Sequence, residues 1–261
     1  MTAAALSRHP DSYPRAALVT GGAQRIGLAI SRSLAAAGWA VAVHHNRSEA
    51  AAQALVAEIE AGGGKAAAVA GDLAVEAETA ALVPKAVRAL GPLGLLVNNA
   101  AVYQFDRIDT ATRADWDLHM EINLRAPFRL TQAFAEALAE DAGGLVINVL
   151  DERVLNLTPN FATYTVSKSG LWTLTRSLAI ALAPRIRVNG IGPGYALPER
   201  GQSRAAFEQA AARMPLGRGT DPEEICATLQ FLIATKSVTG QMIALDGGQH
   251  LGWLVPGNQS P

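Results

Sequence analysis

Short apolar runs alternate along the chain with longer stretches in which apolar positions recur every three or four residues. The short runs predict buried strands, at residues 16–20, 40–44, 65–72, 94–100, 144–150, 185–194 and 241–248. The longer stretches predict amphipathic helices, at about 26–38, 48–61, 75–90, 113–140 and 160–183. Because strand and helix alternate, the pattern predicts one α/β domain, a doubly wound parallel sheet of about seven strands with helices on both faces.

The alternation places this domain at residues 15–250, with flexible tails at 1–14 and 251–261, since no linker or repeat interrupts it. The chain has 261 residues, 49% of them hydrophobic, and a formal net charge of −1. Scattered charges argue against a nucleic-acid partner. A membrane span needs about 18 apolar residues, and no stretch or signal peptide of that kind is found. The single cysteine, Cys226, excludes internal disulfides. We therefore expect a cytoplasmic protein.

The first junction between strand and helix, TGGAQRIG at residues 20–27, is rich in glycine. A helix N-terminus combines unpaired N–H groups with the positive end of the helix dipole, which favours a bound pyrophosphate. The alternative is a plain glycine turn. Because the loop follows a strand and opens a helix, we expect nucleotide binding.

The end of the second strand indicates which nucleotide. Folds that bind NAD usually place a carboxylate there to accept hydrogen bonds from the ribose, but this strand ends HHNRS and the first acid is Glu49. Arg47 and Ser48 suit a 2′-phosphate instead, so we expect NADPH. Alternatively, Arg47 is a solvated charge and Ser48 only caps the next helix. His44 and His45 point to opposite faces of a strand, so we expect no metal.

A tyrosine and a lysine lie one helical turn apart, at Tyr164 and Lys168. Residues four apart share a helix face, so the phenol and the ammonium are predicted to be neighbours. A nearby cation favours the phenolate, so we expect a lowered pKa for Tyr164 and a role as a general acid near neutral pH. Such a pair alone often lies on the protein surface and has no function. Together with the nucleotide loop it predicts catalysis.

These segments resemble the short-chain dehydrogenase/reductase family over residues 15–250. The loop at 20–27 resembles the family's TGxxxGxG, residues 98–100 resemble NNAG, and Tyr164 with Lys168 matches YxxxK. The resemblance implies a Rossmann-type fold, a homotetramer, Tyr164 as proton donor, Lys168 on the nicotinamide ribose and Asn123 beside a proton-relay water. It also implies cofactor contacts from Gly21, Arg25, Ile26, Gly27, Asn46, Arg47, Ser48, Asp72, Leu73, Asn99, Ala100, Tyr164, Lys168, Pro193 and Gly194.

Two departures from the family pattern resemble pteridine reductases. Arg25 replaces the second glycine of the loop, and Asp151 replaces the catalytic serine thirteen residues before the tyrosine. The segment HHNRS after the second strand also resembles the corresponding segment of pteridine reductases. In pteridine reductases an aromatic residue after the NNA motif stacks on the pterin; Tyr103 stands there, although phenylalanine is common, and Ala101 replaces a frequent serine. The resemblance implies substrate contacts from Arg25, Tyr103, Asp151 and Tyr164, and Tyr195 is a further candidate because it directly follows the glycine turn.

An aspartate suits a pterin because the ring nitrogens of the pterin must be protonated as hydride arrives. A carboxyl group can take protons from solvent and relay them, which a serine cannot do at neutral pH. The sequence therefore predicts NADPH-dependent reduction of a dihydropterin, biopterin or dihydrofolate. In one alternative, Asp151 is a structural carboxylate that caps a turn or pairs with Arg153, and Tyr164 alone acts on a carbonyl, as in a carbonyl reductase such as a 3-oxoacyl-carrier-protein reductase. A non-catalytic sensor is a further alternative, against which the complete set of Tyr164, Lys168 and Asn123 argues.

Two loops of the predicted domain receive weaker expectations. Asp106, Arg107 and Asp109 are expected to form a solvated loop after the fourth strand. Residues 195–215 carry the substrate lid in the resembling family, and the sequence does not predict their conformation. Within that segment, Tyr195 either lines the mouth of the substrate site or packs only against the loop.

Overall fold

The structure is a computed structural model that describes residues 13–199 and 201–252. Its strands are β1 (Ala16–Val19), β2 (Ala40–His45), β3 (Ala66–Ala70), β4 (Leu95–Asn98), β5 (Gly144–Val149), β6 (Ile186–Pro193) and β7 (Met242–Leu245). Its helices are α1 (Arg25–Ala36), α2 (Glu49–Ala61), α3 (Glu76–Leu90), α4 (Arg113–Met120), α5 (Ala126–Ala137), α6 (Ala162–Ala181), α7 (Arg204–Ala211) and α8 (Pro222–Ala234).

The strands form one sheet in the order β3-β2-β1-β4-β5-β6-β7, and every neighbouring pair is parallel. Every residue of β1, β4 and β5 is buried, as expected when helices cover both faces of a parallel sheet. Successive side chains alternate between the faces, so Leu96 joins one apolar cluster while Leu95 and Val97 join the other. The predicted doubly wound fold is confirmed.

The order of the strands reverses between β1 and β4, which opens a crevice at their carboxyl ends. Thr20 ties the two strand ends together, because its Oγ1 accepts hydrogen bonds from the N–H groups of Asn99 (2.9 Å) and Ala100 (3.0 Å). The Asn99 Nδ2 in turn donates to the Thr20 carbonyl at 2.8 Å. In open α/β sheets such a switch point is where ligands bind.

The stretch predicted as one helix over 113–140 is interrupted. Between α4 and α5 the backbone forms a π-helical turn at Glu121–Arg125. At its centre, the Asn123 side chain bonds both backbone groups of Val102: Oδ1 accepts from the N–H at 2.8 Å, and Nδ2 donates to the C=O at 2.9 Å. The pattern of apolar residues in the sequence did not reveal this turn. π-turns inside helices frequently mark functional sites.

Most of the two predicted tails, residues 1–12 and 253–261, lies outside the described residues. Tyr13, which we assigned to the first tail, packs against the core, and its hydroxyl accepts a hydrogen bond from Arg187 Nε at 2.9 Å. Within 13–199 and 201–252, every helix is too short or too polar to cross a membrane. The same ranges contain no cluster of three or more acidic, histidine or cysteine residues that could hold a metal ion.

Candidate active site

A cavity of about 450 Å³ lies in the crevice at the carboxyl ends of the central strands. It brings together all five residues predicted to contact the substrate, namely Arg25, Tyr103, Asp151, Tyr164 and Tyr195. Five of the residues predicted to contact only the cofactor also border it, namely Ile26, Asn99, Lys168, Pro193 and Gly194. Asn46, Arg47, Ser48, Asp72 and Leu73 are not in its lining and follow β2 and β3 instead. The cavity therefore brings together the residues predicted to react and those predicted to bind the substrate.

A carboxylate and a phenol face each other in this cavity. Asp151 follows β5, and Tyr164 lies in the first turn of α6 with only 5% of its surface exposed. The Tyr164 hydroxyl donates a hydrogen bond to Asp151 Oδ2 at 2.8 Å. A proton can therefore pass between the two groups along a single short hydrogen bond.

Lys168 is almost fully buried one turn further along α6, and its Nζ donates to the Val149 carbonyl at 2.7 Å. The ammonium lies over the Tyr164 ring, 5.8 Å from the ring centroid. Burial lowers the pKa of Lys168 to about 8, against an opposing effect of Asp151. The contact between tyrosine and lysine predicted from their spacing is present, but it is a contact with the ring.

The expected lowering of the Tyr164 pKa is wrong. Burial raises the pKa of Tyr164 well above its usual value, and the negative charge and hydrogen bond of Asp151 raise it further. A phenol that donates to a carboxylate loses its proton less readily. Tyr164 is therefore held protonated, as a proton donor must be before it acts.

Both contacts of the structural alternative for Asp151 are also present. Asp151 Oδ1 accepts from the Arg153 N–H at 2.9 Å and caps the 3₁₀ turn at Glu152–Val154. Arg153 Nη1 lies 3.5 Å from Asp151 Oδ2. Oδ1 therefore caps the turn, while Oδ2 faces both the Arg153 guanidinium and the Tyr164 phenol.

Asn123 does not border the cavity but is fully buried behind it. Besides its two bonds to Val102, its Nδ2 donates to Ser167 Oγ at 3.1 Å. It thereby joins the segment that leads into Tyr103 to the helix that carries Tyr164. Its predicted place beside a proton-relay water stays a prediction.

Tyr103 borders the cavity as predicted, but its ring is not free on both faces. It stacks on Phe161 at a centroid distance of 4.4 Å and an interplanar angle of 12°, and it meets the edge of Tyr164 at 4.8 Å. The Arg25 guanidinium, predicted on the other side of a flat ligand, donates to the Pro198 carbonyl at 2.8 Å. One face of Tyr103 at most is left for a substrate ring.

The expectation of a solvated loop is wrong for Asp106. Its side chain is 2% exposed and accepts hydrogen bonds from the backbone N–H and the hydroxyl of Thr163, at the start of α6. His119 Nδ1 lies 2.7 Å from the Thr163 hydroxyl, and its Nε2 accepts from the Gln104 N–H at 3.3 Å. A helix N-terminus favours a carboxylate, which explains the burial. The Asp106 network anchors the loop that carries Tyr103.

At the nucleotide end, the glycine loop is fitted tightly to its neighbours. A Cβ at Gly27 would overlap the Gly21 carbonyl and approach Asn99 Nδ2 to 2.6 Å, so only glycine fits there. The Gly21 N–H donates to His44 Nδ1 at 2.9 Å, and burial lowers the pKa of His44 to about 4. No side chain caps α1. Its first amides are therefore available to a phosphate, and the loop fits a dinucleotide.

The residues predicted to contact the 2′-phosphate follow β2. Asn46 and Arg47 are exposed, and Arg47 has no ion pair within the described ranges. The Ser48 side chain makes no capping hydrogen bond to α2, so the alternative of a simple cap is not observed.

After β3, Asp72 Oδ1 accepts from the Ala74 N–H at 2.9 Å. Leu73 is buried in the core, which leaves only its backbone for a ligand.

Sequence reasoning missed Glu152 as a cavity residue. Its side chain is 3% exposed, and burial raises its pKa to about 8, with a further contribution from Asp151. Its pKa is higher in the folded state, so between about pH 4.5 and 8 the unfolded chain loses this proton first. The carboxyl therefore destabilises the fold progressively as pH rises through that range.

We expect Glu152→Gln, which does not titrate, to stabilise the protein in a pH-dependent way. One pKa unit corresponds to about 1.4 kcal/mol; because the carboxyl borders an open cavity, we expect a gain of about 2 kcal/mol at pH 8 and almost none at pH 4.5. Urea unfolding of both proteins across this range measures it. Glu140→Gln, at an exposed position, is the control. A gain that does not change with pH would contradict the raised pKa of Glu152.

Comparison with known proteins decides the family. The model of the short chain dehydrogenase family matches residues 15–209. The chain belongs to this family. The resemblance of the glycine loop, the NNA segment and the YxxxK pair is thereby confirmed, and the chain is an oxidoreductase of the short-chain dehydrogenase type.

Individual members of the short-chain dehydrogenase family are similar over nearly the whole chain. FolM alternative dihydrofolate reductase 1 from Brucella canis, complexed with NADP, is 46% identical, with a TM-score of 0.89 over 93% of this chain and 96% of its own. An uncharacterized oxidoreductase of Methylorubrum extorquens is 38% identical and covers 90% of this chain and 97% of its own. A 3-oxoacyl-[acyl-carrier-protein] reductase of Synechocystis sp. is 33% identical, with 89% and 95% covered.

Proposed function

We propose that this chain is an NADPH-dependent reductase of pterin-type substrates, dihydrofolate included. The observation that carries the proposal is the hydrogen bond between Tyr164 and Asp151 in the cavity. A carbonyl reductase of this family needs one proton donor beside its serine. In this chain, by contrast, a carboxylate is placed to pass protons to the phenol of Tyr164. Similarity to the FolM dihydrofolate reductase of Brucella canis supports the same substrate class.

The chain offers sites for both ends of NADPH, which supplies the hydride when it is bound. The uncapped N-terminus of α1 and the glycine loop would take the pyrophosphate. Arg47 and Ser48 would take the 2′-phosphate. Lys168 and Gly194 border the cavity where the nicotinamide would lie. In FolM from Brucella canis the bound nucleotide is NADP as well.

Proton delivery is the task of the chain's own residues. Tyr164, held protonated by burial and by Asp151, donates its proton to a ring nitrogen of the substrate. The phenolate that remains is then reprotonated from solvent through Asp151, along their 2.8 Å hydrogen bond. Because Asp151 is partly exposed, it exchanges protons with solvent. Arg153 keeps the carboxylate in place through its backbone N–H and its guanidinium.

A second candidate is a carbonyl reductase. The similarity to the 3-oxoacyl-[acyl-carrier-protein] reductase of Synechocystis sp. favours it. In that case the pair of Asp151 and Arg153 is structural and Tyr164 alone protonates a carbonyl oxygen.

We also propose a cytoplasmic homotetramer, in line with the family resemblance.

A substrate panel tests the choice between these functions. The oxidation of NADPH is followed with dihydrobiopterin, dihydrofolate and an acetoacetyl thioester at matched concentrations. We expect kcat/KM for at least one pterin to exceed that for the thioester by more than tenfold. A preference for the thioester would overturn the pterin proposal in favour of a carbonyl reductase.

Arg47→Ala tests the choice of cofactor. Losing one charged hydrogen bond costs about 1.5–3 kcal/mol, so we expect NADPH to bind roughly 10- to 150-fold more weakly and NADH almost unchanged. Fluorescence titration of both cofactors measures the two affinities. Arg88→Ala, an exposed arginine in α3, is the matched control. Equal weakening of both cofactors would show that Arg47 does not contact the 2′-phosphate.

A further inference from the structure

Four aromatic rings lead from the catalytic hydroxyl to the surface, and we name them the aromatic wall: Tyr164, Tyr103, Phe161 and Phe105. Neighbouring ring centroids are 4.8, 4.4 and 5.2 Å apart along this series. Exposure rises along it, from 5% at Tyr164 to 62% at Phe105. Only the first three rings border the cavity, so the wall continues beyond it towards solvent.

The third ring of the wall is held by an unfavourable backbone. Phe161 has φ 57° and ψ 46°, the left-handed region that a bulky side chain rarely adopts. Its N–H donates to the Asp106 carbonyl at 2.7 Å, which fixes it to the buried Asp106 network. Such strain persists where the surroundings over-determine it and often accompanies a binding role. Here its effect is to lay the Phe161 ring against Tyr103.

A cation with an uncommitted donor lies beside the same rings. The Arg153 guanidinium carbon is 4.9 Å from the Phe161 centroid and 5.4 Å from the Tyr103 centroid. Its Nε is buried and has no hydrogen-bond partner, and its ion pair with Asp151 is long, at 3.5 Å. A buried donor without a partner costs free energy. Arg153 also borders the cavity with 19% of its side chain exposed, so its guanidinium is open to an acceptor oxygen supplied by a ligand.

We propose that the aromatic wall and Arg153 form a subsite for the side chain of the pterin, one that selects an aromatic and anionic substituent. The inference rests on the proposed function and names its substrate more narrowly. An aryl group carried by the pterin would lie along the Phe161 edge of the wall, where stacking favours it. Arg153 would donate to an amide or carboxylate oxygen beyond that aryl group. A short hydroxylated side chain offers neither contact, so dihydrofolate is the preferred substrate over dihydrobiopterin.

The test compares three dihydropterins that differ only in their substituent: dihydrobiopterin, dihydropteroate and dihydrofolate. In the wild type we expect kcat/KM for dihydrofolate to exceed that for dihydrobiopterin at least tenfold. Phe161→Leu keeps the bulk and the left-handed backbone but removes the ring, and it should lower this ratio about three- to tenfold. Arg153→Met should lower the ratios of dihydrofolate and of dihydropteroate to dihydrobiopterin by more than tenfold, because both substrates carry a carbonyl or carboxylate oxygen beyond the aryl group. Phe231→Leu, a half-exposed phenylalanine in α8, is the control and should leave both ratios unchanged.

The outcomes separate the two proposals. If neither dihydrobiopterin nor dihydrofolate is reduced, the proposed function fails. If both are reduced with a wild-type ratio near one, or if Phe161→Leu and Arg153→Met leave the ratios unchanged, the subsite fails and the function stands. Phe161→Tyr keeps the ring and should keep the wild-type ratio, which covers the case in which the leucine variant does not fold.

Discussion

On the proposed function, Tyr164→Phe is expected to lower kcat for reduction of a dihydropterin by about 10²- to 10⁴-fold, which is the contribution of a positioned general acid. The phenyl ring would keep its edge contact with Tyr103, because that contact does not involve the hydroxyl. The raised pKa of the phenol makes the loss independent of pH over the neutral range, since the wild-type Tyr164 stays protonated throughout it.

Single-turnover rates and NADPH titrations of the Tyr164→Phe protein separate chemistry from binding. We expect the NADPH affinity to change less than threefold, because the glycine loop and Arg47 lie elsewhere. Tyr13→Phe, which removes a phenol hydroxyl far from the cavity, is the matched control. A Tyr164→Phe enzyme with more than half of the wild-type turnover would exclude Tyr164 as the proton donor.

Asp151→Ser is expected to abolish most pterin turnover, by about 10²-fold or more, while activity on simple ketones holds or improves. The serine restores the family's common set of Ser, Tyr164 and Lys168 for carbonyl substrates, but it cannot return a proton to the phenol. This change in substrate preference is measured by the steady-state kcat/KM for a dihydropterin and for a ketone, in the wild type and in Asp151→Ser, from pH 5 to 8.

Asp151→Asn distinguishes proton transfer from structure. The amide keeps an oxygen for the Arg153 N–H and so preserves the cap of the 3₁₀ turn, but it carries no exchangeable acidic proton. On our proposal it loses pterin turnover as fully as the serine variant does. Near wild-type pterin reduction by the asparagine variant would mean that the carboxylate is only structural.

The positions of the strands and of the reacting residues could be predicted because each rests on a local pattern. A buried parallel strand is an apolar run such as Leu95–Asn98, and the carboxyl ends of neighbouring strands meet at one edge. Asp151 follows such a strand, and the spacing of Tyr164 and Lys168 fixes their shared helix face. Most of the proposed catalytic set is therefore encoded within a few residues of sequence.

What could not be predicted depends on contacts between distant segments. The pKa of Tyr164 rises because burial and Asp151 act on its hydroxyl while Lys168 contacts its ring, a matter of side-chain direction. Asp106 is buried because it meets Thr163, 57 residues away. For Phe161 the sequence shows no sign of its role beyond an aromatic residue at the start of a predicted helix. None of these arrangements follows from periodicity.

The π-helical turn at Glu121–Arg125 has a consequence for how this enzyme tolerates a shortened chain. A π turn holds one residue more than the α-helix it interrupts, so removing a single residue there would let α4 run into α5 as one regular helix. The flanking helices would keep their packing, but Asn123 would rotate away from Val102, whose backbone it now holds. A single-residue deletion at this place would therefore leave a folded protein with a displaced Tyr103.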